Sequence, residues 1–323
     1  MSKTLDVVLL LALPASGKSE VRRYLSLLEP KTLREEMHLG EQVQLDDYPY
    51  VHLMRRIDEE LQAQSKPRVF FRSGTSGMID GRDWGTLIQL VNEDFDDTVQ
   101  ARKPAPASAA EHLLERIDAA RGKVGIGATF AKLEGATRNS LASAIAKDAA
   151  EALEAKNAAV PSSLDGKSIV IEFARGGPHG SSLPLTDPLG YQYSLRQLSP
   201  QLLERSVALY IWVTPEESRR KNEARADPND PGSILHHGVP HEVMMNDYGC
   251  DDMAHLLDKS DKPGRLRVEA HGKVFHVPTA RLDNRVDKTS FVRDAKESWP
   301  AHAVDSLQTS LAEAFRHLVQ HRW

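Results

Sequence analysis

The stretch "LDVVLLLALPASGKSEVRRYLSLL", residues 5–28, decides how the N-terminal part of the chain folds. It opens with an apolar run over residues 5–13, which is typical of a buried β-strand. A short loop, residues 14–17, follows the run. The apolar residues that then recur at helical spacing are Val21, Tyr24, Leu25 and Leu28. The stretch therefore predicts a strand, a tight loop and an amphipathic helix over residues 18–28.

The same stretch has the outline of a secretory signal peptide. Lys3 precedes an apolar run at residues 7–11, and small residues follow it. A signal peptide, however, predicts nothing about the residues after its cleavage site. An amphipathic helix does follow here, so the pattern favours the strand, loop and helix.

The loop carries the residues that a nucleotide-phosphate site needs. Its backbone N–H groups and the N-terminus of the following helix face an anion, while a Lys reaches the β- and γ-phosphates and a Ser hydroxyl binds Mg²⁺. The residues predicted to bind ATP and Mg²⁺ in this way are Pro14, Ala15, Ser16, Gly17, Lys18 and Ser19. Ala12 stands where the full pattern has its first glycine, which is tolerable only if Ala12 avoids a positive φ.

Composition excludes several classes of protein. The 323-residue chain is 40% apolar and 27% charged, as in ordinary globular proteins, and no apolar run approaches the ~20 residues of a membrane helix. A net charge of −5 weighs against a broad basic face for nucleic acid. The single cysteine, Cys250, excludes an intrachain disulfide and fits a reducing compartment, and two following acids should raise its pKa. We expect a cytoplasmic protein without a membrane partner. The sequence does not indicate its oligomeric state.

The first hundred residues alternate between strand and helix patterns. Residues 41–45 form a short candidate strand, and residues 68–71 form a β-rich run. An apolar helix face follows each of them. After the first it consists of Tyr50, Met54, Ile57 and Leu61, and after the second of Trp84, Leu87, Ile88 and Val91. This order predicts an α/β fold with a largely parallel sheet flanked by helices.

Residues 101–165 differ in character and predict a helical insertion. A Pro/Ala-rich linker opens the segment, and residues 108–121 and 139–157 are rich in Ala and charged residues, as helices are. A flexible connection is expected between the two helices, and no internal repeat is expected anywhere in the chain.

The α/β pattern resumes after the insertion. Residues 168–173 and 209–213 predict central strands, and the capping box that begins at Thr214 predicts a helix that starts at Pro215. Residues 262–323 predict a β-hairpin that turns at His271-Gly272 and then a final helix, as a C-terminal extension. We expect one domain over residues 1–323.

Carboxylates follow two of the predicted strands. Asp46 and Asp47 follow the second strand, where ligands bind in parallel α/β sheets, so either is a candidate base for a hydroxyl proton. Both aspartates could instead cap the next helix. Glu172 ends another strand and is a candidate to hold a water on Mg²⁺, although it could also pair with Arg175.

The helix after Thr214 carries candidate cations for a transferring phosphate. Lys221 and Arg225 are four residues apart and share one helix face, beside a stretch of low helix propensity, as in a closing lid. The alternative is a solvated charged face. A zinc site at His236, His237 and His241 is not favoured, because glycine and proline place them in a loop without a set of cysteine ligands.

Three of these motifs together resemble a known family. "LPASGKS", "LDDY" and "VTPEESRRKNEAR…GVPHEVMMNDYG" are similar to P-loop kinases of the polynucleotide-kinase group and to zeta-toxin-type kinases, over residues 5–60 and 168–250. The resemblance implies that Asp46 is the acceptor base and that Lys221 and Arg225 are lid cations. Lys221 replaces a family arginine, and Pro49 replaces a family basic residue.

The resemblance implies an ATP- and Mg²⁺-dependent kinase that phosphorylates a hydroxyl. The expected acceptor is a nucleic acid or nucleoside, at a 5′-hydroxyl or a hydroxymethylated base, bound near Asp47, Tyr48 and Arg55. Three alternatives stay open: a sugar-like acceptor, a nucleotide-gated binding protein with slow hydrolysis, and a structural module with a degenerate loop.

Overall fold

The computed structural model describes residues 4–225 and 238–322. In this part of the chain six strands form one sheet in the order β2-β3-β1-β4-β6-β5. The strands are β1 (Val7–Leu11), β2 (Glu41–Asp46), β3 (Lys167–Phe173), β4 (Ser206–Trp212), β5 (Arg265–Ala270) and β6 (Lys273–Asp283). Only β5 runs antiparallel to its neighbour, so the predicted α/β fold with a largely parallel sheet is confirmed.

Helices cover both faces of the sheet. The α-helices are α1 (Lys18–Ser26), α2 (Pro30–Glu35), α3 (Tyr48–Ala63), α4 (Asp83–Val99), α5 (Ala109–Lys123), α6 (Gly135–Ala144), α7 (Ala146–Ala159), α8 (Gly190–Arg196), α9 (Pro200–Arg205), α10 (Pro215–Arg225), α11 (His241–Asn246), α12 (Met253–Asp258) and α13 (Ala301–Arg322). Short 3₁₀ helices lie at Phe130–Lys132, Ser290–Arg293 and Lys296–Ser298. Among the described residues, no helix is both long and apolar enough to cross a membrane.

Strand β1 is central because every one of its residues is buried. It pairs in parallel with β3 on one side and with β4 on the other. Val7, Leu9 and Leu11 point into one hydrophobic cluster, while Val8 and Leu10 point into a second cluster on the opposite face. The uninterrupted apolar run of the sequence is what a strand buried on both faces requires.

The connections that leave β1 and β3 place a crevice between these two strands. From β1 the chain passes α1 and α2 to reach β2, and their apolar side chains belong to one cluster. From β3 the chain passes α8 and α9 to reach β4, and their side chains belong to the cluster on the other face. Adjacent strands whose connections leave in opposite directions open a crevice at their carboxyl ends, where ligands of such sheets bind.

The C-terminal hairpin is part of the central sheet. His271 and Gly272 both have positive φ, as the predicted tight turn requires. The second half of β6, Thr279 to Asp283, pairs in parallel with β4. Helix α13 then packs Leu311 and Phe315 into the cluster beneath β4 and β6. The predicted hairpin and final helix are confirmed, and the hairpin extends the sheet rather than standing apart.

Residues 68–71 do not form a strand. The backbone N–H groups of Val69, Phe70 and Phe71 donate to the carboxylate of Asp58 in α3, at 2.6–3.2 Å. These N–H groups are therefore satisfied by a side chain instead of a neighbouring strand. Of the four residues, only Phe71 makes a β-bridge, an isolated one to Met78. Phe70 and Phe71 are buried among helices, which explains their apolar character.

The same arrangement occurs a second time, sixty residues further along the sequence. Asp118 in α5 accepts hydrogen bonds from the backbone N–H groups of Thr129, Phe130 and Ala131, at 2.6–3.0 Å. The rings of Phe70 and Phe130 pack with their centroids 5.9 Å apart. The hexapeptides "LMRRID" (53–58) and "LLERID" (113–118) carry this repeat in the sequence. This local similarity was not expected from the sequence, and the connection after α5 is anchored by Asp118 rather than loose.

The predicted insertion, residues 101–165, consists of α5, α6 and α7 and the segments around them. Its apolar side chains, among them Leu114, Ile117 and Leu141, share one hydrophobic cluster with those of α3 and α4. The insertion therefore forms a common core with the helices beside the edge strand β2.

Candidate functional site

A cleft lies at the carboxyl ends of β1, β3 and β2, with a cavity volume of about 290 Å³. The predicted site residues that line it are Pro14, Ala15, Gly17, Lys18, Ser19, Asp46, Asp47, Tyr48, Arg55 and Glu172. These residues come from four separate parts of the chain. The fold therefore brings into one cleft residues that the sequence patterns predicted as parts of one site.

The loop 14–17 between β1 and α1 is held in a special backbone conformation. Gly17 has a φ of +107°, and a Cβ at this position would lie 2.5 Å from Thr289 Oγ1 and 2.9 Å from Asn284 Nδ2. Only glycine fits there. Ala15 has a φ of +55°, which costs about 1–3 kcal/mol for a residue with a side chain, so its surroundings must enforce it. Ala12 is not among the residues with positive φ, as its tolerance requires.

Side chains from three later parts of the chain hold the carbonyl groups at and before this loop. The Tyr191 hydroxyl donates to Ala12 O at 2.9 Å, and Ser218 Oγ donates to Pro14 O at 2.7 Å. Asn284 Nδ2 donates to Ser16 O at 2.8 Å. In residues 4–225 and 238–322, no acceptor takes a hydrogen bond from the backbone N–H of Ala15, Ser16 or Gly17. Consecutive N–H groups of this kind form a concave site that suits an anion.

Lys18 begins helix α1 at the edge of this loop. Its side chain is buried, and Nζ donates to Ala12 O at 3.2 Å and to Leu13 O at 3.1 Å. A buried ammonium group beside a row of N–H groups and a helix N-terminus adds positive charge at one spot. The charge and the N–H donors of this region both suit phosphate oxygens.

Asp46 and Glu172 lie side by side at the ends of β2 and β3. They are register partners, and Arg22 Nη1 contacts Asp46 Oδ2 at 3.0 Å and Glu172 Oε2 at 2.7 Å. Burial, with the negative charges of Glu172 and Asp47, raises the pKa of Asp46 to about 7, against the lowering effects of Arg22 and the Tyr48 N–H. A carboxyl group with a pKa near neutrality is suited to general-base catalysis.

Asp47 has a structural partner. Its Oδ2 lies 2.7 Å from Nη1 of Arg175, a residue only 2% exposed. Arg175 also donates to Ser194 Oγ, and its guanidinium lies 5.0 Å from the ring centroid of Trp84. Burial raises the pKa of Asp47 despite the charge of Arg175. Asp47 lines the cleft, but its ion pair also holds the aromatic wall of the cleft in place.

The side chains of two predicted residues do not line the cleft. Ser16 is fully buried and contributes its carbonyl to Asn284 instead of a side chain to the cavity. Lys221 is 2% exposed, does not line the cleft, and contacts Asp287 Oδ1 at 3.1 Å. Lys221 therefore supports the segment that packs on Gly17. Helix α10 begins at Pro215 with Thr214 as its cap, as predicted, whereas the side chain of Arg225 lies outside the described residues, as do His236 and His237.

One part of the cleft, named here the aromatic end, is formed mainly by aromatic residues. Rings of Tyr48, Phe71, Trp84, Phe173 and Tyr248 line it. Such a surface suits a planar or apolar group, because aromatic rings pack against one another through offset or edge contacts. The predicted acceptor residues Tyr48 and Arg55 lie at this end.

The described part of the chain offers few metal ligands of its own. In the part of the chain that is described, no group of three or more His, Cys, Asp or Glu side chains could hold a metal ion. Mg²⁺ is commonly held by one or two protein ligands together with substrate phosphates. The Ser19 hydroxyl and the Glu172 carboxylate both line the cleft beside the loop, so these residues fit a nucleotide-bound Mg²⁺.

Several residues of the site carry no recognisable sequence motif. Three of them are polar residues that follow a strand or a helix: Asn284 after β6, Arg175 after β3 and Asp247 after α11. This position is the only feature of the sequence that could have indicated a role in the site. Tyr191 and Ser218 carry no signal, because they reach the loop only through the tertiary fold. Burial and the charges of Asp251 and Asp252 raise the pKa of Cys250, in the expected direction.

A comparison of the chain with protein-family models, with curated proteins and with solved structures finds no match.

Proposed function

We propose that this protein is an ATP-dependent kinase that transfers the γ-phosphate to a hydroxyl of a nucleoside or nucleic acid. One juxtaposition carries the proposal: the N–H groups of loop 14–17 and the ammonium of Lys18 share a cleft with Asp46, whose pKa is raised to about 7. An anion site beside a carboxyl group that titrates near neutrality is what phosphoryl transfer to a hydroxyl needs.

In this proposal the loop binds and orients the phosphates. The N–H groups of Ala15, Ser16 and Gly17 donate to phosphate oxygens, and Lys18 neutralises charge on the β- and γ-phosphates. Asn284 and Ser218 hold the carbonyls of Ser16 and Pro14, which share peptide groups with the N–H of Gly17 and the N–H of Ala15, so they orient these two N–H groups. When bound, Mg²⁺ would supply charge neutralisation at the phosphates, with Ser19 and Glu172 as the ligands that this chain offers.

Asp46 accepts the proton of the acceptor hydroxyl. Its carboxylate is buried enough to be more basic than an exposed aspartate, which is the physical cause of the raised pKa. Arg22 contacts both Asp46 and Glu172, so it limits the repulsion between two neighbouring carboxylates and fixes their orientation.

The cleft favours an acceptor of limited size. A cavity of about 290 Å³, walled by aromatic rings, suits one nucleoside or one sugar better than a duplex. The net charge of −5 agrees with an enzyme that meets a single nucleotide or a nucleic-acid end. Sugar-like acceptors therefore belong in the same test.

The direct test of this function is transfer of labelled γ-phosphate from ATP to a panel of oligonucleotides, nucleosides and sugars. We expect transfer by the wild-type protein and none above background by Lys18→Ala, with the fold retained. Lys147→Ala is the matched control, because Lys147 is an exposed helical lysine with a side chain 84% accessible. Near-normal transfer by Lys18→Ala, or ATP affinity equal to that of wild type, contradicts the proposal.

The rival function is a nucleotide-gated binding protein that hydrolyses ATP slowly. Such a protein has no need for a base near an acceptor hydroxyl. The position of Asp46 in the cleft, with its raised pKa, favours the kinase over this rival.

A further inference from the structure

Asp247 lies in the aromatic end of the cleft, directly after helix α11. Burial raises its pKa to about 6, while the charges of Arg72 and Arg55 act against this shift and Glu242 acts with it. Within the described residues, nothing donates a hydrogen bond to the Asp247 carboxylate, and no ion pair within 4.0 Å includes it. A half-buried carboxylate without such a partner has capacity to accept hydrogen bonds from a ligand.

The position of this carboxylate is set by a close approach to backbone. A Cβ added at Gly77 would lie 2.5 Å from Asp247 Oδ2 and 2.6 Å from Oδ1. The glycine thus makes the space that the carboxylate occupies. Asp247 is therefore held against the loop 72–77 and does not swing freely in solvent.

Arg55 presents donors at the same end of the cleft. Its guanidinium stacks on the ring of Phe71, 4.0 Å from the centroid, and Nη1 donates to Gly74 O at 2.8 Å. A guanidinium has five N–H donors, so others remain for a ligand. The charge of Arg55 acts on Asp247, yet the two side chains form no ion pair within 4.0 Å. A donor group and an acceptor group therefore share one end of the cleft.

Aromatic rings bound the space beside this pair. The rings of Trp84 and Tyr248 meet edge to face, with centroids 5.8 Å apart, and Phe71 lies beneath Arg55. Rings of this kind gain most from a flat partner. The surface is thus suited to a planar ring whose edge carries one acceptor and one donor.

We propose that this end of the cleft binds a heterocycle with a lactam edge, in which an N–H lies next to a carbonyl, as in uracil and guanine. The N–H donates to Asp247, and the carbonyl oxygen accepts from Arg55. In the same orientation, cytosine sets its N3 acceptor against Asp247 and its 4-amino donor against Arg55, so neither hydrogen bond forms. The inference rests on the proposed function insofar as this ring belongs to the phosphate acceptor.

Equilibrium binding of uridine, guanosine and cytidine, without ATP, tests the proposal on the full-length protein. Calorimetry should show uridine or guanosine binding at least about tenfold tighter than cytidine, because a buried acceptor left unpaired is costly. Asp247→Asn should reduce this ratio to about one or reverse it, because an amide can donate to the cytosine nitrogen. Asp258→Asn removes an exposed carboxylate and should leave the ratio unchanged.

A second variant keeps the proposal testable if Asp247→Asn does not fold. Gly77→Ala keeps the carboxylate but displaces it, so it too should lower the preference for uridine or guanosine, with the melting temperature checked for both variants. Equal affinity for all three nucleosides, absence of binding, or a ratio that neither variant changes would overturn the proposal.

This test is separate from the test of the kinase. If the nucleosides bind with the expected ratio but ATP does not bind, the kinase function fails and the lactam preference stands. If ATP binds in a Lys18-dependent manner but no nucleoside binds, the lactam preference fails and the kinase function stands.

Discussion

Asp46 and Glu172 end two adjacent parallel strands as register partners, and Nη1 of Arg22 lies within 3.0 Å of an oxygen of each. Two carboxylates this close cannot both be ionised without cost, so one of them takes up a proton more easily than it would in water. Arg22 reduces that cost but does not remove it, because burial dominates. Asp46 is therefore a titratable group in the same cleft that residues of loop 14–17 line.

The pH dependence of transfer follows from this pair. The pKa of Asp46 is about 7, and its basic form is the ionised one, so the transfer rate should fall about tenfold per pH unit below about pH 7 and level off above it. A rate profile from pH 5 to 9 measures this limb. The conservative variant Arg22→Lys should move the midpoint, and a flat profile contradicts the role of Asp46.

Stability should show the opposite trend with pH. The folded-state pKa of Asp46 is raised above an unfolded value near ~3.9, so protonation favours the folded state. This contribution is fully present below about pH 4 and is lost as pH rises through about 7. Chemical denaturation of wild type and Asp46→Asn over this window measures it, since the variant lacks the titrating group. Identical pH dependence in the two proteins would refute the shift.

Asp47 should matter more for stability than for affinity. Removal of its charge leaves Arg175 buried without its partner, which costs about 3–5 kcal/mol in comparable pairs. We therefore expect Asp47→Asn to lower the free energy of unfolding by roughly this amount. Urea denaturation measures the loss, with the exposed Asp258→Asn as control. A stable Asp47→Asn protein that no longer binds the acceptor would instead make Asp47 a substrate ligand.

Asn284 should affect nucleotide binding although it does not line the cleft. It holds Ser16 O at 2.8 Å and Thr289 Oγ1 at 3.0 Å, so Asn284→Ala frees the loop carbonyl and leaves buried groups unpaired. We expect a rise in the Kd for ATP of about tenfold, with a smaller change in the Kd for nucleosides. Calorimetry with both ligands separates these effects. An equal loss for the two ligands would indicate a general folding defect instead.

The carboxylate of Asp118 should stabilise the helical insertion, residues 101–165. Asp118 accepts three backbone hydrogen bonds from residues 129–131, and Asp118→Ala leaves those N–H groups without that acceptor. The expected loss of stability is about 2–4 kcal/mol, measured by thermal and urea denaturation. The exposed Glu154→Gln is the control. A loss below about 0.5 kcal/mol, the range of ordinary surface substitutions, contradicts the assigned role.

The sequence predicted the parts of the fold that depend on local pattern. The apolar run of β1, the helix face of α1 and the cap at Thr214 each act within a few residues, and all three occur in the structure. The run 68–71 failed as a strand, because its apolar residues are buried by helices and its N–H groups bind Asp58. Periodicity alone does not separate these two ways of burying phenylalanine.

The site was predictable where residues sit at the end of a strand or in a motif. Asp46, Glu172 and Lys18 have such positions, and the fold brings them together. The spacing of Lys221 on its helix predicted a cation on one helix face, but spacing does not show whether that face meets the cleft or Asp287, which Lys221 contacts. Asn284 and Asp247 act through contacts with residues more than one hundred and fifty positions away, which no local pattern encodes.

One measurement tests the central claim most directly: single-turnover transfer of labelled γ-phosphate by wild type and Asp46→Asn, with ATP affinity measured in parallel. Asparagine keeps the size and polarity of Asp46 but cannot take the hydroxyl proton. We predict unchanged ATP affinity within a few-fold and a loss of transfer of roughly 10²–10⁴-fold. Transfer within a few-fold of wild type, or loss of ATP binding itself, would contradict the account.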